Sequence, residues 1–201
     1  MHFDLPQFIK SIGYFGVWAI VFAESGLLVG FFLPGDSLLF TAGFLASQNF
    51  LDIRVLLFGC FVFAVLGDNV GYATGYRFGR RLFQKEDSWL FHKKHLATAQ
   101  NFYNQHGKKA VVLARFMPIV RTFAPIVAGM GSMKYRTFMV YNLIGGFVWT
   151  VGMTLLGYFL GKVIPAEQID KYLLPIILAI IIISVIPSIF HLIQERRSTK
   201  H

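Results

Sequence analysis

Phe32-Leu33-Pro34-Gly35-Asp36-Ser37 interrupts a long apolar tract, and the lengths of its two flanks decide the fold. Upstream, Tyr14 to Leu33 runs for 20 residues with Glu24 as its only charge, enough for a bilayer crossing. Downstream, Ser37 to Phe50 is uncharged but only 14 residues long. At about 1.5 Å per residue that piece reaches roughly 21 Å, short of a hydrocarbon core of about 30 Å. A proline-glycine break between a long and a short apolar limb predicts a re-entrant hairpin over 14–50 that turns at Pro34 and Gly35.

Outward from that hairpin the chain keeps the character of a membrane protein. Hydrophobic residues make up 55% of its 201 positions and charged ones 14%, too apolar a balance for a soluble domain of this size. The net charge of +9 would suggest nucleic acid in a soluble protein. Here the basic residues flank apolar runs, so the membrane accounts for them and no nucleic-acid partner is expected. Residues 1–13 space Phe3, Leu5, Phe8, Ile9 and Ile12 among polar neighbours, as in an interfacial amphipathic segment. The first apolar stretch contains Glu24 and ends without a small-residue cleavage site, so it is expected to be mature structure rather than a signal peptide.

A transmembrane helix is predicted over 54–78, with Asp68 its one acidic group. From Arg77 to Lys109 eight Lys or Arg outnumber Glu86 and Asp87, which places a segment over 79–109, with an amphipathic helix ended by Gly107, on the cytoplasmic side. Between 110 and 133 the breakers Pro118 and Pro125 and the charges Arg115 and Arg121 rule out a simple crossing and predict a second re-entrant hairpin. Transmembrane helices over 136–162 and 171–194 follow. Charge parity then leaves the C-terminal Arg196, Arg197 and Lys200 in the cytoplasm.

The halves resemble each other. Pro34 and Pro118 are 84 residues apart, and Gly75-Tyr76 and Gly157-Tyr158, which close the spans after them, are 82 apart. An odd number of crossings per half makes the second copy inverted, as in many secondary transporters. The predicted fold is therefore an all-α integral membrane protein. It has two inverted repeats, each a re-entrant helical hairpin followed by a transmembrane helix, and a C-terminal transmembrane helix.

Five ionisable residues fall at bilayer depth: Glu24, Asp36, Asp68, Arg115 and Arg121. Each costs about 2.5–3.5 kcal/mol at a helix centre, so each needs a buried partner or a function. Two arginines six residues apart across Pro118 can converge on one object, and a guanidinium fork suits phosphate oxygens. Helix N-termini beyond the breaks add N–H donors, so an anionic lipid head group fits. Glu24 and Asp36 suit proton uptake and release, since burial favours the protonated carboxyl while a guanidinium favours the ionised one. Asp36 can also cap the helix after the break, and Asp68, beside Asn69, can serve either as a structural hydrogen-bonding group or as an accessory coupling group. Gly67, Gly71, Gly75 and Gly79 form one smooth packing face. Cys60 is the only cysteine, and His92, His95 and His106 belong to the basic interfacial helix; no metal site or cofactor is expected.

These motifs carry a resemblance. Glu24 with Asp36 in Phe32-Leu33-Pro34-Gly35-Asp36-Ser37, then Phe102-Tyr103-Asn104-Gln105-His106-Gly107, Arg115-Phe116-Met117-Pro118-Ile119-Val120-Arg121-Thr122 and Ala128-Gly129, is similar to the DedA family of integral membrane proteins. That family belongs to the wider lipid scramblase and SNARE-associated membrane protein group, and the resemblance covers about 14–163. It implies two inverted re-entrant hairpins, the acidic pair Glu24 and Asp36 and the arginine pair Arg115 and Arg121 as functional residues, and proton-dependent transport. It further implies, in the bacterial cell envelope, recycling of undecaprenyl phosphate or flipping of phosphatidylethanolamine.

The expectation is a multi-pass protein of the cytoplasmic membrane, not an enzyme, that moves a phosphate-bearing lipid, in the first instance undecaprenyl phosphate, with proton coupling. Its partners would be the lipid substrate, the membrane and protons. A phosphatidylethanolamine flippase or scramblase is the alternative transporter. A membrane enzyme acting on lipid phosphates would need a nucleophile or metal beside the arginines. A structural assembly factor would tolerate loss of Glu24.

Overall fold

Prolines, glycines and one aspartate set the helix boundaries in the computed structural model, which describes residues 5–27, 35–84, 93–131 and 133–163. Helix α1 (Leu5–Gly26) is bent at Gly13, whose φ of 59° is outside the helical region and open to glycine without strain. The bend separates the polar leading turns from the apolar limb that carries Glu24. Helix α2 (Gly35–Ser47) starts at the glycine of the predicted break; Pro34 itself lies outside the described residues. Helix α3 (Ile53–Gln84) starts where the Asp52 carboxylate accepts the N–H groups of Arg54 (2.7 Å) and Val55 (3.2 Å), an N-cap. It runs six residues beyond the expected 78, into the basic segment, because no glycine or proline capable of stopping it intervenes after Gly79.

Helix α4 (Lys93–His106) is amphipathic, with Phe102 buried and Asn101, Asn104 and Gln105 exposed, and it ends at Gly107 with φ 56°. The short α5 (Ala110–Leu113) passes into a 3₁₀ turn, Ala114–Phe116, that ends at Met117. Met117 is extended (φ −123°, ψ 105°), the conformation a following proline imposes, and Pro118 opens α6 (Pro118–Met130). Helix α7 (Tyr135–Val163) completes the described chain. Among the described residues there is no strand; the expected helix over 171–194 lies outside them.

Among the described residues three helices are long and apolar enough to cross a membrane: Phe8–Gly26, Ile53–Gly79 and Tyr135–Val163. Their outer faces bear Phe15, Phe58, Phe147, Leu156 and Phe159, each more than half exposed. A belt of this kind would aggregate in water and is the ordinary exterior of a protein in lipid. The chain is an all-α membrane protein.

The helices pair across the halves of the chain: α2 packs mainly on α7, and α6 on α3, while α1 also lies on α3. Glycine permits both close approaches. A methyl group on Gly43 would strike the carbonyl of Thr154, and one on Gly157 the carbonyl of Phe40. In the other pair, Gly129 faces the carbonyl of Tyr72 and Gly75 that of Ile126. The two contact sets are in register: α6 residues lie 86 positions after their α2 counterparts, and α7 residues 82 after their α3 counterparts. The glycine face on α3 thus packs protein against protein, and the arrangement brings the N-terminal ends of α2 and α6 together in the interior.

Candidate functional site

Glu24 lies in the last turn of α1, 2% exposed. One of its oxygens, Oε1, accepts the N–H of Gly35 at 3.0 Å and pairs with Nη2 of Arg121. A carboxylate from one helix therefore occupies the N-terminal end of the next, where free N–H groups and the helix dipole favour an anion. Asp36, one residue further, accepts Nη1 of Arg121 at 3.1 Å and the indole N–H of Trp149 at 2.7 Å on the same oxygen, Oδ1. The Arg121 fork is thereby spread over two carboxylates from α1 and α2. The Trp149 ring lies 4.8 Å from the Arg121 guanidinium, within cation–π range.

Arg115 belongs to a second assembly. The 3₁₀ turn before Pro118 directs it toward α3 and α7, where its Nη2 donates to Asp68 Oδ2 at 2.5 Å and to Asn142 Oδ1 at 2.7 Å. Arg115 and Asp68 are each about 5% exposed. The Asn142 amide is held in turn by its own N–H bond to the carbonyl of Val65 at 3.2 Å, which fixes its oxygen toward the guanidinium.

Between the assemblies lies a cavity with room for about one water molecule, lined by Ser25, Asp68, Arg115, Arg121 and Trp149. It is therefore a gap among charged groups rather than a chamber for a whole lipid. Two buried polar atoms of these assemblies, Glu24 Oε2 and Arg115 Nε, have no hydrogen-bond partner among the described residues.

The structure brings Glu24, Asp36 and Arg121 into one contact set and Arg115 with Asp68 into another. Arg115 and Arg121 border the same cavity, but each already holds a different carboxylate rather than a common partner. Gly35 supplies the N–H to Glu24; Pro34 lies outside the described residues, and Pro118 opens α6. Asn142 and Trp149 escaped the sequence reading. The available signal was an amide and an indole seven residues apart on the α7 span, two turns along one face.

The fold and the site define an integral membrane protein whose helix breaks present a buried cluster of acidic and guanidinium groups. The family profile described as VTT domain matches residues 33–159. Protein DedA of Escherichia coli strain K12 is 43% identical over 206 residues, covering 98% of this chain and 92% of DedA. An uncharacterized membrane protein of Mycobacterium tuberculosis strain H37Rv is 41% identical over 188 residues, covering 92% and 81%. Inner membrane protein YqjA of Escherichia coli K12 is 34% identical over 159 residues, covering 78% and 71%. No solved structure matches. The chain belongs to the VTT-domain, or DedA, family.

Proposed function

We propose that this protein is a proton-coupled lipid transporter of the cytoplasmic membrane that moves a phosphate-bearing lipid, undecaprenyl phosphate being the substrate the reading favours. The observation that carries it is the Glu24 carboxylate seated at the N-terminal end of α2 and on Arg121. A helix N-terminus joined to a guanidinium fork is an anion site, and here the protein fills it with its own carboxylate. Protonation of Glu24 or Asp36 weakens that hold and opens Arg121 to a lipid phosphate, so binding of proton and phosphate are linked. Every charged group in the cluster has an opposite charge to exchange, which suits loading and unloading better than covalent chemistry on the lipid.

In this reading α1 with α2, and the segment 110–133 with α6 at its end, are the two re-entrant hairpins of an inverted repeat. The C-terminus then faces the cytoplasm. The matched 86- and 82-residue registers and the 13-residue lengths of both α2 and α6, too short to cross, support it. The name of YqjA supports assignment to the inner membrane. A second reading, transport of phosphatidylethanolamine, draws on Asp36, whose 21% exposed carboxylate is the most open of the three and can meet an ammonium.

Transport of labelled lipids by reconstituted protein, over polyprenyl phosphate, polyprenol, phosphatidylethanolamine and phosphatidylglycerol, separates these readings. Phosphate-dependent movement of the polyprenyl chain is expected; equal rates for polyprenol and its phosphate would refute the anion-site account.

A further inference from the structure

Asp68 lies outside the motif that marks the acidic and arginine pairs, yet it holds Arg115 in a buried ion pair at 2.5 Å. Three buried or half-buried carboxylates, Glu24, Asp36 and Asp68, face two guanidiniums, so with every group ionised the cluster has a formal charge of −1. Such a cluster repels a phosphate until it takes up protons. Glu24 and Asp36 pair with Arg121, whereas the charged partner of Arg115 is Asp68 on α3.

We infer that Asp68 is the gate on Arg115, an internal competitor whose protonation hands that arginine to the phosphate of the substrate; this rests on the phosphate-lipid reading above. Three features make an exchange feasible. A single nitrogen, Nη2, serves both Asp68 and Asn142. Arg115 Nε is buried and without a partner among the described residues, leaving a donor in reserve. The cavity that Arg115 and Asp68 share with Arg121 lies on the path between the two guanidiniums. When a proton from water settles on the Asp68 carboxylate, Arg115 keeps its charge and its bond to Asn142, and its remaining donors turn to the phosphate.

The charged and titratable groups around Asp68 are Arg115 from the 3₁₀ turn, Arg121 from α6 across the cavity, Glu24 from α1 and Asp36 from α2 beyond Arg121, and Tyr72 one turn along α3. The packed face of α7 presents Asn142, Trp149 and Thr150, none of which titrates in this range. Because the proton is bound together with the anion, affinity rises as pH falls, by up to about tenfold per pH unit for each linked proton.

The experiment measures equilibrium binding of a short polyprenyl monophosphate, with the matching polyprenol as control, to the full chain in nanodiscs of neutral lipid between pH 6 and 8. Wild type should bind more tightly at pH 6 than at pH 8, and Asp68→Asn should bind at pH 8 severalfold more tightly than wild type, with a flatter pH slope. Weaker binding of Asp68→Asn at every pH, or an unchanged slope, overturns the gate while the phosphate reading stands. Equal binding of phosphate and polyprenol by wild type overturns that reading and the gate with it. Should Asp68→Asn fail to insert, infrared difference spectra of ligand binding to wild type and Asp68→Glu decide. A protonated-carboxyl band that changes frequency in Asp68→Glu is expected, and an identical band in both proteins overturns the inference.

Discussion

At the scale of single residues the site is a set of carboxylate contacts around two guanidiniums, and the proposed function requires them to exchange with phosphate. Arg121 reaches Glu24 with one terminal nitrogen and Asp36 with the other, a geometry that only a planar fork provides. Arg121→Lys and Arg115→Lys should therefore insert normally and lose at least about tenfold in transport of polyprenyl phosphate, the equivalent of one charge-assisted hydrogen bond of ~1.4 kcal/mol or more. Wild-type rates in both variants would reduce the arginines to charge compensation. Gly35 is a sharper probe, because a Cβ there would occupy the space of the Glu24 carboxylate. Gly35→Ala should displace Glu24 from the end of α2, and substrate-free protein should then show a diminished pH dependence of polyprenyl phosphate binding; an unaltered profile would separate Glu24 from the anion site. The four charged motif residues were legible because a charge in an apolar run is conspicuous whatever the fold. Trp149 and Asn142 were not, since an indole and an amide are ordinary in a span and become significant only when α7 turns them toward Asp36 and Arg115.

Among the helices, the account depends on backbone approach at paired glycines. Gly75 and Gly157 face carbonyl oxygens of α6 and α2 with no room for a side chain. Gly75→Val or Gly157→Val should force the pairs apart and destabilise the protein by about 1–3 kcal/mol, the usual range for overpacking, lowering the thermal midpoint in detergent. Gly152, on the same helix as Gly157, has nothing within 4 Å of a built Cβ and is exposed. Gly152→Ala should leave the midpoint unchanged or raise it slightly, and an equal loss in the two α7 variants would show that the close contact at Gly157 does not set the cost. The sequence pattern identified the glycine face of α3 as a packing surface but not its partner. Spacing reports which residues share a face, whereas the choice of α6 over α2 as neighbour is made by the three-dimensional pairing of the halves. The extension of α3 to Gln84 was similarly hidden, because apolar content marks where lipid ends, not where hydrogen bonding stops.

Over the whole molecule, the topology proposed from lengths and charge parity has the 13-residue α2 and α6 meeting inside the bilayer and the C-terminus in the cytoplasm. A cysteine placed near the C-terminus of a Cys60→Ala protein should react with an impermeant reagent only after cells are opened; labelling of intact cells would reverse the topology. The central claim is that the Glu24 and Asp36 carboxylates compete with the lipid phosphate for Arg121, so that proton uptake by them and phosphate binding are linked. Its most direct test is transport of labelled undecaprenyl phosphate into proteoliposomes with and without an imposed pH gradient, by wild type and by the double variant Glu24→Gln, Asp36→Asn. An amide cannot gain or lose the proton, so wild-type transport should respond to the gradient and the correctly inserted double variant should respond much less, keeping only the share that Asp68 carries. An undiminished gradient response in the double variant would contradict the account.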